Sequence, residues 1–280
     1  MNRRAALGRA AGGLAAAAGL RAAAAPDPGG FTWGGRLVQG GALIGRAAPR
    51  AEVSVDGKAV GTASASGWFV VGFDRDAPAD VVVSVRTAAA QADRTFPIDA
   101  GVFDIQRIDG LPQDQVTPTD PALLARIARE ARMKAAAFAS LDDTDDFRDG
   151  FAMPFQPRRT SSSFGGQRIL NGVPQTPHYG VDLTAPVGTP IHAPAPGLVV
   201  LAEPDMHFEG GLTLVDHGQG LVAAFLHQSQ QMVRTGDRIV RGQTIGLVGQ
   251  TGRATGPHLC WRLKWRGRNL DPSLLVGTRA

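Results

Sequence analysis

Short apolar runs broken by glycine and proline make up most of this sequence and limit what it can fold into. Examples are AEVSV, WFVVGF and DVVVSVRTA in the first half and LTLVDHGQGLVAAF in the second. Runs of about four to eight residues rich in Val and Ile, bounded by turn residues, are typical of strands. The 36 glycines and 19 prolines of the 280-residue chain further disfavour long helices. The sequence therefore predicts a mostly β protein.

The first half carries the pattern of a small β-sandwich, which we place at residues 28–105 and which resembles Ig-like accessory domains. Its β-like runs are short and regularly separated by turn residues, as in two-layer all-β domains. Asp56-Gly57, between two of these runs, is the dipeptide that best fits a tight hairpin turn with positive φ. The segment contains no recognisable group of catalytic residue types, so we expect an accessory domain.

A connector with one helix is predicted at residues 106–150. Within TPTDPALLARIAREARMKAAAFASL, apolar residues recur at helical spacing. Asp120 is suited to the N-cap of this helix and Pro121 to its first position. The acidic stretch that follows, LDDTDDFRDG, has the composition of a solvated surface. Beyond it, a second, β-rich domain is predicted at residues 151–277.

Residues 1–25 have the features of a signal peptide. Arg3 and Arg4 form a basic start, residues 10–20 form a weakly apolar Ala/Gly/Leu stretch, and RAAAAP offers a cleavage site. The stretch is far shorter than the ~20 residues that span a bilayer, so we expect no transmembrane anchor in the mature chain. The protein is expected to be exported, either periplasmic or secreted, and the paired arginines are compatible with a twin-arginine signal.

The charge balance argues against a nucleic-acid partner. The chain has 29 basic and 25 acidic residues. Four of the basic residues and none of the acidic ones lie within residues 1–25, so the remainder of the chain is formally neutral. Because the positive excess belongs to the predicted signal peptide, the basic isoelectric point does not indicate binding to polyanions.

The only cysteine of the chain follows a histidine by two positions in the strand-like run GPHLCWRL, and all six histidines lie in this second half. Alternate side chains of a strand point to the same face, so His258 and Cys260 share one face while Leu259 and Trp261 point into the core. Two such side chains, ~7 Å apart along a strand, can flank one metal ion, and both types bind zinc well.

A histidine and a carboxylate occur four residues apart in HYGVD. A regular strand would separate His178 from Asp182 by ~13 Å, which is too far for one ion. The backbone must therefore bend, and we expect Gly180 to permit the bend. A bent strand or a loop at the mouth of a sheet would bring the imidazole and the carboxylate together.

Several motifs of residues 155–276 resemble, in the same order, those of the lysostaphin-type or LytM-like zinc metallopeptidases, which cut peptidoglycan. HYGVD is similar to the family's H-x-x-x-D motif, GLTLVDHGQGLVAAFLHQS to a strand pair ending in a catalytic histidine, and GQTIGLVGQTGRATGPHL to the segment leading into its H-x-H motif. The resemblance implies an antiparallel β domain of the duplicated hybrid motif type, a Zn²⁺ cofactor and peptidoglycan peptides as substrate.

Carried over position by position, the resemblance implies that His178 and Asp182 bind the metal and that His227 and His258 act beside it on the transition state. The family's third ligand is the second histidine of H-x-H, and Cys260 stands at that position here. Zinc held by three side chains keeps an open position for water or a scissile carbonyl. The sequence has no H-E-x-x-H, so a glutamate base of the helical zinc-protease kind is not expected.

Three interpretations of Cys260 remain open. As a zinc thiolate, it completes the metal set of His178, Asp182 and Cys260, and retention of the other site residues favours this interpretation. As a small buried side chain, it marks a degenerate site in a noncatalytic regulator of other cell-wall enzymes or a wall-binding protein. A nucleophilic thiol with His258 as base is least favoured, because neighbours on one strand face are poorly aimed and no helix N-terminus lowers the thiol pKa.

A thiolate ligand should also affect the rate. One carboxylate and one thiolate leave a zinc site formally neutral, whereas the family's His, Asp, His set leaves it with one positive charge. A less positive ion acidifies its water less. The sequence therefore predicts an enzyme that is slower, or has a narrower substrate range, than the usual form of the family.

Overall fold

A computed structural model describes residues 30–279 and confirms the mostly β fold class, with strands in both halves and one long helix between them. The predicted signal peptide at residues 1–25 lies outside the described residues. Within residues 30–279, no helix is both long and apolar enough to cross a membrane.

The N-terminal part is a two-sheet sandwich of antiparallel strands. One sheet has the order β1-β2-β5 and the other β4-β3-β6-β7. Burial alternates along β6, where Val81, Val83 and Val85 face the core and the residues between them are more exposed, as expected for a sheet with one covered face. These strands are β1 (Thr32–Gly35), β2 (Ala42–Arg46), β3 (Glu52–Val55), β4 (Lys58–Thr62), β5 (Trp68–Gly72), β6 (Asp80–Arg86) and β7 (Gln91–Pro97).

The predicted hairpin turn lies between β3 and β4. Val55 pairs with Lys58, so the loop has two residues. Asp56 has φ of 50° and Gly57 has φ of 74°, and two successive positive φ values are what a type I′ turn requires. The aspartate and glycine therefore set the register of this hairpin, as the sequence predicts.

The segment between the two β parts contains one strand and two helices: β8 (Ile105–Ile108), the single-turn α1 (Gln113–Val116) and α2 (Pro121–Phe138). The Asp120 carboxylate accepts hydrogen bonds from the backbone N–H groups of Ala122 and Leu123, and Pro121 is the first helical residue. The predicted N-cap is thus confirmed. Ala137 near the end of α2 is buried against the C-terminal sheet.

The C-terminal part is built on a ten-stranded sheet whose main path is β17-β14-β15-β16-β19-β12-β9. In this sheet β18 joins β13 to β16, and β20 pairs with β19. A 3-10 helix, Pro272–Leu275, closes the domain. The strands, including two in a separate small sheet, are β9 (Arg159–Ser162), β10 (Gln167–Leu170), β11 (Val173–Pro174), β12 (Val181–Thr184), β13 (Pro190–His192), β14 (Gly197–Met206), β15 (Gly210–Asp216), β16 (Leu221–Gln231), β17 (Arg238–Ile239), β18 (Thr244–Val248), β19 (His258–Trp265) and β20 (Arg268–Leu270).

The two faces of β19 pack against different cores. Leu259, Trp261 and Leu263 are fully buried in a large cluster that also contains the core of the N-terminal sandwich. Cys260 lies on the other face, in a smaller cluster that includes Ala137 of α2. This alternation agrees with the prediction from GPHLCWRL, and burial of each large apolar side chain contributes about 1.5–3 kcal/mol to stability. One face of the sheet is therefore structural, and the other carries the cysteine.

The acidic stretch LDDTDDFRDG differs from the solvated surface that its composition predicts. Asp143 pairs with Arg50 at 2.7 Å, and Ser64 of the sandwich donates to Asp145 at 2.7 Å. Phe147, between these acids and the next glycine, is completely buried. The packing of this stretch depends on partners that are distant in sequence. The stretch therefore connects the sandwich to the C-terminal sheet through specific contacts and does not only face water.

The connector also contributes a strand to the second β part. β8 pairs in parallel with β10, with Gln106 opposite Arg168, and β11 completes this three-stranded sheet. The boundary predicted at residues 105 and 106 falls at the start of β8. A segment predicted as a helical connector thus forms one side of the groove described next.

Candidate metal centre

Three side chains converge at one end of the C-terminal sheet. His178 Nε2 lies 3.2 Å from Asp182 Oδ1 and 3.2 Å from Cys260 Sγ. The three potential ligand atoms all lie within 4.8 Å of one another, and all three residues are buried. Among residues 30–279 this is the one group of three or more His, Cys, Asp or Glu side chains that could hold a metal ion. The structure thus brings together the three residues that the sequence singles out as ligands.

Strand register brings two of the three together. Asp182 on β12 is directly opposite Cys260 on β19, and opposite residues on one face have Cβ atoms about 5 Å apart. His178 precedes β12 and is anchored by its backbone, with its N–H donating to Gly166 O at 2.7 Å and its carbonyl accepting from Gly165 N at 2.7 Å. These two hydrogen bonds turn the chain so that the imidazole reaches the carboxylate.

Gly180 lets the segment from His178 to Asp182 lie close to β19 because it has no side chain. The chain bends at this residue, as HYGVD predicts, but the φ of Gly180 is not among the positive ones. A Cβ at this position would lie 3.0 Å from Cys260 Sγ and 2.7 Å from Arg262 Cγ. The missing side chain therefore leaves room for the thiol and the guanidinium stem beneath HYGVD.

The hydrogen bonds of His178 fix which of its nitrogens faces the group. Ser162 Oγ donates to Gln106 Oε1 at 2.9 Å, and the same oxygen lies 2.9 Å from His178 Nδ1. Because the hydroxyl proton is already used, Nδ1–H donates to Ser162, and the Nε2 lone pair points to Asp182 and Cys260. Burial lowers the pKa of His178 below its usual value, which favours this neutral ring.

One acceptor in the group has no donor. Asp182 Oδ1 is buried and has no hydrogen-bond partner among the described residues, although it faces His178 Nε2 at 3.2 Å. With Nδ1 as the protonated nitrogen, these two atoms are both acceptors, and a buried unpaired carboxylate oxygen is costly. A cation bound between them would satisfy both atoms. The donor set and its orphaned oxygen therefore fit a metal ion.

Two guanidinium groups flank the ligands. Arg168 Nη2 donates to Asp182 Oδ2 at 2.7 Å, and Arg262 Nε donates to Cys260 Sγ at 3.4 Å. Burial acts to raise the pKa of the Asp182 carboxyl, but the positive charge of Arg168 opposes it, and that pKa lies well below its usual value. Asp182 is therefore ionised at physiological pH, with one oxygen held by Arg168 and the other free for a metal.

Cys260 is a thiol in this environment. Burial, followed by the charge of Asp182, raises the pKa of Cys260 to about 12. A buried, protonated thiol is a poor nucleophile, and the imidazole in contact with its sulfur is that of His178 instead of His258. These features argue against the nucleophile interpretation and leave the ligand and degenerate-site interpretations.

His227 and His258 lie beside the group, with ring centroids 4.7 Å apart. Each Nδ1–H donates to a backbone carbonyl, that of Thr251 at 2.8 Å and that of Gly256 at 2.7 Å, respectively. Each ring therefore keeps Nε2 free, and His258 Nε2 is 3.8 Å from Asp182 Oδ1. Burial and the neighbouring His258 lower the pKa of His227 to about 3. His227 also has φ of 65°, a conformation that costs about 1–3 kcal/mol and is concentrated at functional sites.

The other three histidines do not contribute to the group. His192 lies against Gly242 O, His207 against Asp114 O, and His217 donates to Pro196 O at 2.5 Å. His217 is completely buried. Each therefore has a structural partner and lies apart from the ligands.

The group opens into a groove of about 570 Å³ lined by Asp182, His227 and His258 on the sheet side. Gln106 and Arg107 of β8 line it from the connector side.

Sequence reasoning missed Gln106, Ser162, Arg168 and Arg262 as residues that position the ligands. Gln106 reaches the site through the parallel pairing of β8 with β10, some 60 residues apart in the chain, which no local pattern indicates. Arg262 could have been found from its position, because it shares a strand face with His258 and Cys260.

Comparison with known proteins relates this chain to one protein family. A family model described as peptidase family M23 matches residues 176–272. The crystal structure of a Pseudomonas aeruginosa protein assigned to peptidase M23 is similar, with a TM-score of 0.65 and 31% sequence identity. The similarity covers 86% of this chain and 96% of that chain, so it extends over the N-terminal sandwich as well.

Two curated proteins of Vibrio cholerae serotype O1 are similar over a shorter region. Peptidoglycan DD-endopeptidase ShyA is 39% identical over 114 residues, which are 40% of this chain and 26% of ShyA. Peptidoglycan DD-endopeptidase ShyC is 38% identical over 120 residues, which are 42% of this chain and 28% of ShyC. The chain thus spans about a quarter of the length of these curated relatives.

Proposed function

Because this chain belongs to peptidase family M23, we propose that it is a zinc-dependent endopeptidase that hydrolyses peptide bonds in peptidoglycan. The observation that carries the proposal is the convergence of His178, Asp182 and Cys260 around the unpaired oxygen of Asp182. The names of the relatives ShyA and ShyC support peptidoglycan as the substrate and the DD type of cross-link as the bond.

The ligand chemistry favours zinc. One imidazole nitrogen, one carboxylate oxygen and one sulfur form a set of three protein ligands, the number that catalytic zinc sites use. A sulfur ligand disfavours Mg²⁺ and Ca²⁺, which prefer oxygen. When bound, the ion supplies a Lewis acid for the scissile carbonyl and lowers the pKa of water.

His227 and His258 are proposed to handle the protons. Their Nδ1–H groups are held by backbone carbonyls, so each ring presents Nε2 to the groove. From that nitrogen, a ring can accept a proton from the attacking water. Once protonated, it can donate a hydrogen bond to the oxygen that develops negative charge or return the proton to the leaving amine. The fixed orientation of both rings reduces the reorganisation that the reaction requires.

Export is part of the proposal, because peptidoglycan lies outside the cytoplasmic membrane. The basic start and apolar stretch within residues 1–25 support a signal peptide. We therefore propose a periplasmic or secreted protein.

A noncatalytic regulator or wall-binding protein is the second candidate. It is favoured by Cys260, whose raised pKa and burial in an apolar cluster make it a less ready ligand than a histidine. In that case the groove would bind wall peptides, or other cell-wall enzymes, without cutting them.

Metal content and wall digestion separate the two candidates. The purified protein is expected to contain about one zinc per chain and to release soluble fragments from whole sacculi, identified by mass analysis. Cys260→Ser and Asp182→Asn should lose both properties, whereas His192→Ala, outside the ligand group, should keep both. A folded wild-type protein that takes up no zinc and releases no fragments would support the regulator instead.

A further inference from the structure

The groove beside the ligand group is strongly basic. Four arginines line it, and Asp182 is the one carboxylate among its lining residues. The arginines are Arg107, Arg159, Arg168 and Arg253. A cleft lined by one sign of charge concentrates ligands of the opposite sign. The groove is therefore suited to an anionic ligand, and a bound divalent cation would strengthen this preference.

Two of these arginines are already engaged. Arg168 is bound to Asp182 and Ser162. Arg253 donates to Gln115 O at 2.9 Å, and its guanidinium lies 4.6 Å from the ring centre of Phe208. Burial, then the neighbouring Arg168 and Arg262, lower the pKa of Arg253, which reflects the positive potential at this end of the groove.

The other two arginines are not engaged. Arg107 on β8 and Arg159 on β9 are exposed, and neither guanidinium has a hydrogen bond, ion pair or ring contact with any residue that the structure describes. Because no described carboxylate pairs with them, both guanidinium groups remain available to a ligand. An anion bound between them would also offset the repulsion of their like charges. The remaining binding capacity of the groove therefore lies with Arg107 and Arg159.

Strand register places Arg159 relative to the reaction centre. Arg159 pairs with Thr184 on β12, and Thr184 pairs with His258 on β19. Paired residues share a face of the sheet, and each strand adds about 4.8 Å, so the backbone of Arg159 lies about 10 Å from that of His258. Arg107, opposite Ile169 of β10, lines the same groove from the connector side. Arg107, Arg159 and His258 thus all line one groove.

We propose that Arg107 and Arg159 bind a free carboxylate of the peptide substrate, so that the site selects anionic wall peptides over the same peptides in amidated form. The proposal rests on the proposed function and names its substrate class. A guanidinium offers two parallel N–H donors that match a carboxylate, and such bonds are about twice as strong as those between neutral groups. A primary amide keeps the shape of the group but loses its charge and one of its acceptor atoms.

Two substrates that differ only in this group provide the test. One is a cross-linked muropeptide dimer with its free carboxylates, and the other is the same dimer with those carboxylates converted to primary amides. Wild-type kcat/KM is expected to be about tenfold or more higher for the carboxylate dimer. The double variant Arg107→Gln, Arg159→Gln should lose most of this preference, mainly through a higher KM for the carboxylate dimer. Arg234→Gln, an exposed arginine outside the groove, is the matched control and should change neither value.

Substrate affinity measured in the presence of a chelator tests the carboxylate site without requiring that the substrate be cut. It therefore distinguishes a failure of this inference from a failure of the proposed function. The wild type should bind the carboxylate dimer about tenfold or more tighter than the amide dimer, and the double variant should not. If neither dimer is cut, the peptidase proposal fails, and the affinities alone decide on the carboxylate site. Equal kcat/KM or equal affinity for the two dimers in the wild type, or an undiminished preference in the double variant, would overturn the inference.

Discussion

Cation binding at this site depends on the protonation of Cys260. Its sulfur lies 3.2 Å from His178 Nε2 and accepts from Arg262 Nε at 3.4 Å, while burial raises the pKa of the thiol to about 12. A divalent ion must therefore displace the thiol proton, and Arg262 offsets part of the negative charge that results. His178 and Asp182 already have the protonation states that a metal needs. The thiol is thus the ligand that distinguishes this site from one with two histidines.

Replacing the thiol with imidazole should speed the reaction. Cys260→His removes one negative charge from the ligand set, so the bound ion would acidify its water more strongly. We expect turnover on purified peptidoglycan to rise by about threefold or more, the factor that corresponds to about half a unit in the pKa of the metal-bound water. Turnover is compared at equal zinc content. Unchanged or lower turnover of the fully loaded variant would contradict the charge argument.

His217 should make the stability depend on pH. Its complete burial lowers the pKa of His217 from 6.5 to about 4, so between these pH values the unfolded chain binds a proton that the folded chain does not. Folding stability is therefore lost as pH falls through this window. His217→Asn can still donate to Pro196 O but cannot titrate. Between pH 7.5 and 4.5, urea unfolding should show about 2 kcal/mol less loss of stability in the variant than in the wild type, and parallel curves would refute this role.

At the scale of elements, the site depends on where β12, β19 and β8 meet. The sequence predicts His178, Asp182 and Cys260 because HYGVD and HLC are short local motifs that resemble those of the zinc metallopeptidases. The strand period places His258 and Cys260 on one face, whereas HYGVD requires a bend. The sequence does not predict Gln106 or Arg168, because these residues act through the pairing of β8 with β10. Long-range strand pairing is fixed by the packing of the whole domain, and a one-dimensional pattern carries little information on it.

Gly180→Ala tests how closely β12 must approach β19. The new Cβ would lie 2.7 Å from Arg262 Cγ and 3.0 Å from both Cys260 Sγ and the backbone oxygen of Trp261, so it should push the thiol away from His178 and Asp182. We expect zinc affinity, measured by competition with a chelator, to fall about tenfold or more. Gly256→Ala is the control, because a Cβ there meets no atom within 4 Å. Equal affinities for both variants and the wild type would show that the contact is not needed.

At the scale of the whole molecule, the sandwich and the C-terminal sheet share one core. Phe147 of the acidic stretch is completely buried in the cluster that contains both Phe69 of the sandwich and Trp261 of β19. The sequence predicts both β parts but presents the segment between them as a solvated connector. Its acids and its phenylalanine are matched by partners from both parts, and only the folded structure brings these together.

A shared core should make the two parts unfold together. Phe147→Ala should cost about 3–5 kcal/mol of unfolding free energy and lower hydrogen-exchange protection in both halves. Leu141→Ala, at a 59% exposed side chain in the same segment, should change stability little. Loss of protection in one half alone would mean that the parts unfold independently.

X-ray absorption at the zinc edge of the metal-loaded protein tests the central claim most directly. Thiolate ligation by Cys260 predicts one sulfur at about 2.3 Å, together with nitrogen and oxygen ligands at about 2.0–2.2 Å. Cys260→His should lose the sulfur signal and keep the lighter ligands. A wild-type spectrum that contains nitrogen and oxygen alone would contradict the assignment of His178, Asp182 and Cys260 as one zinc site.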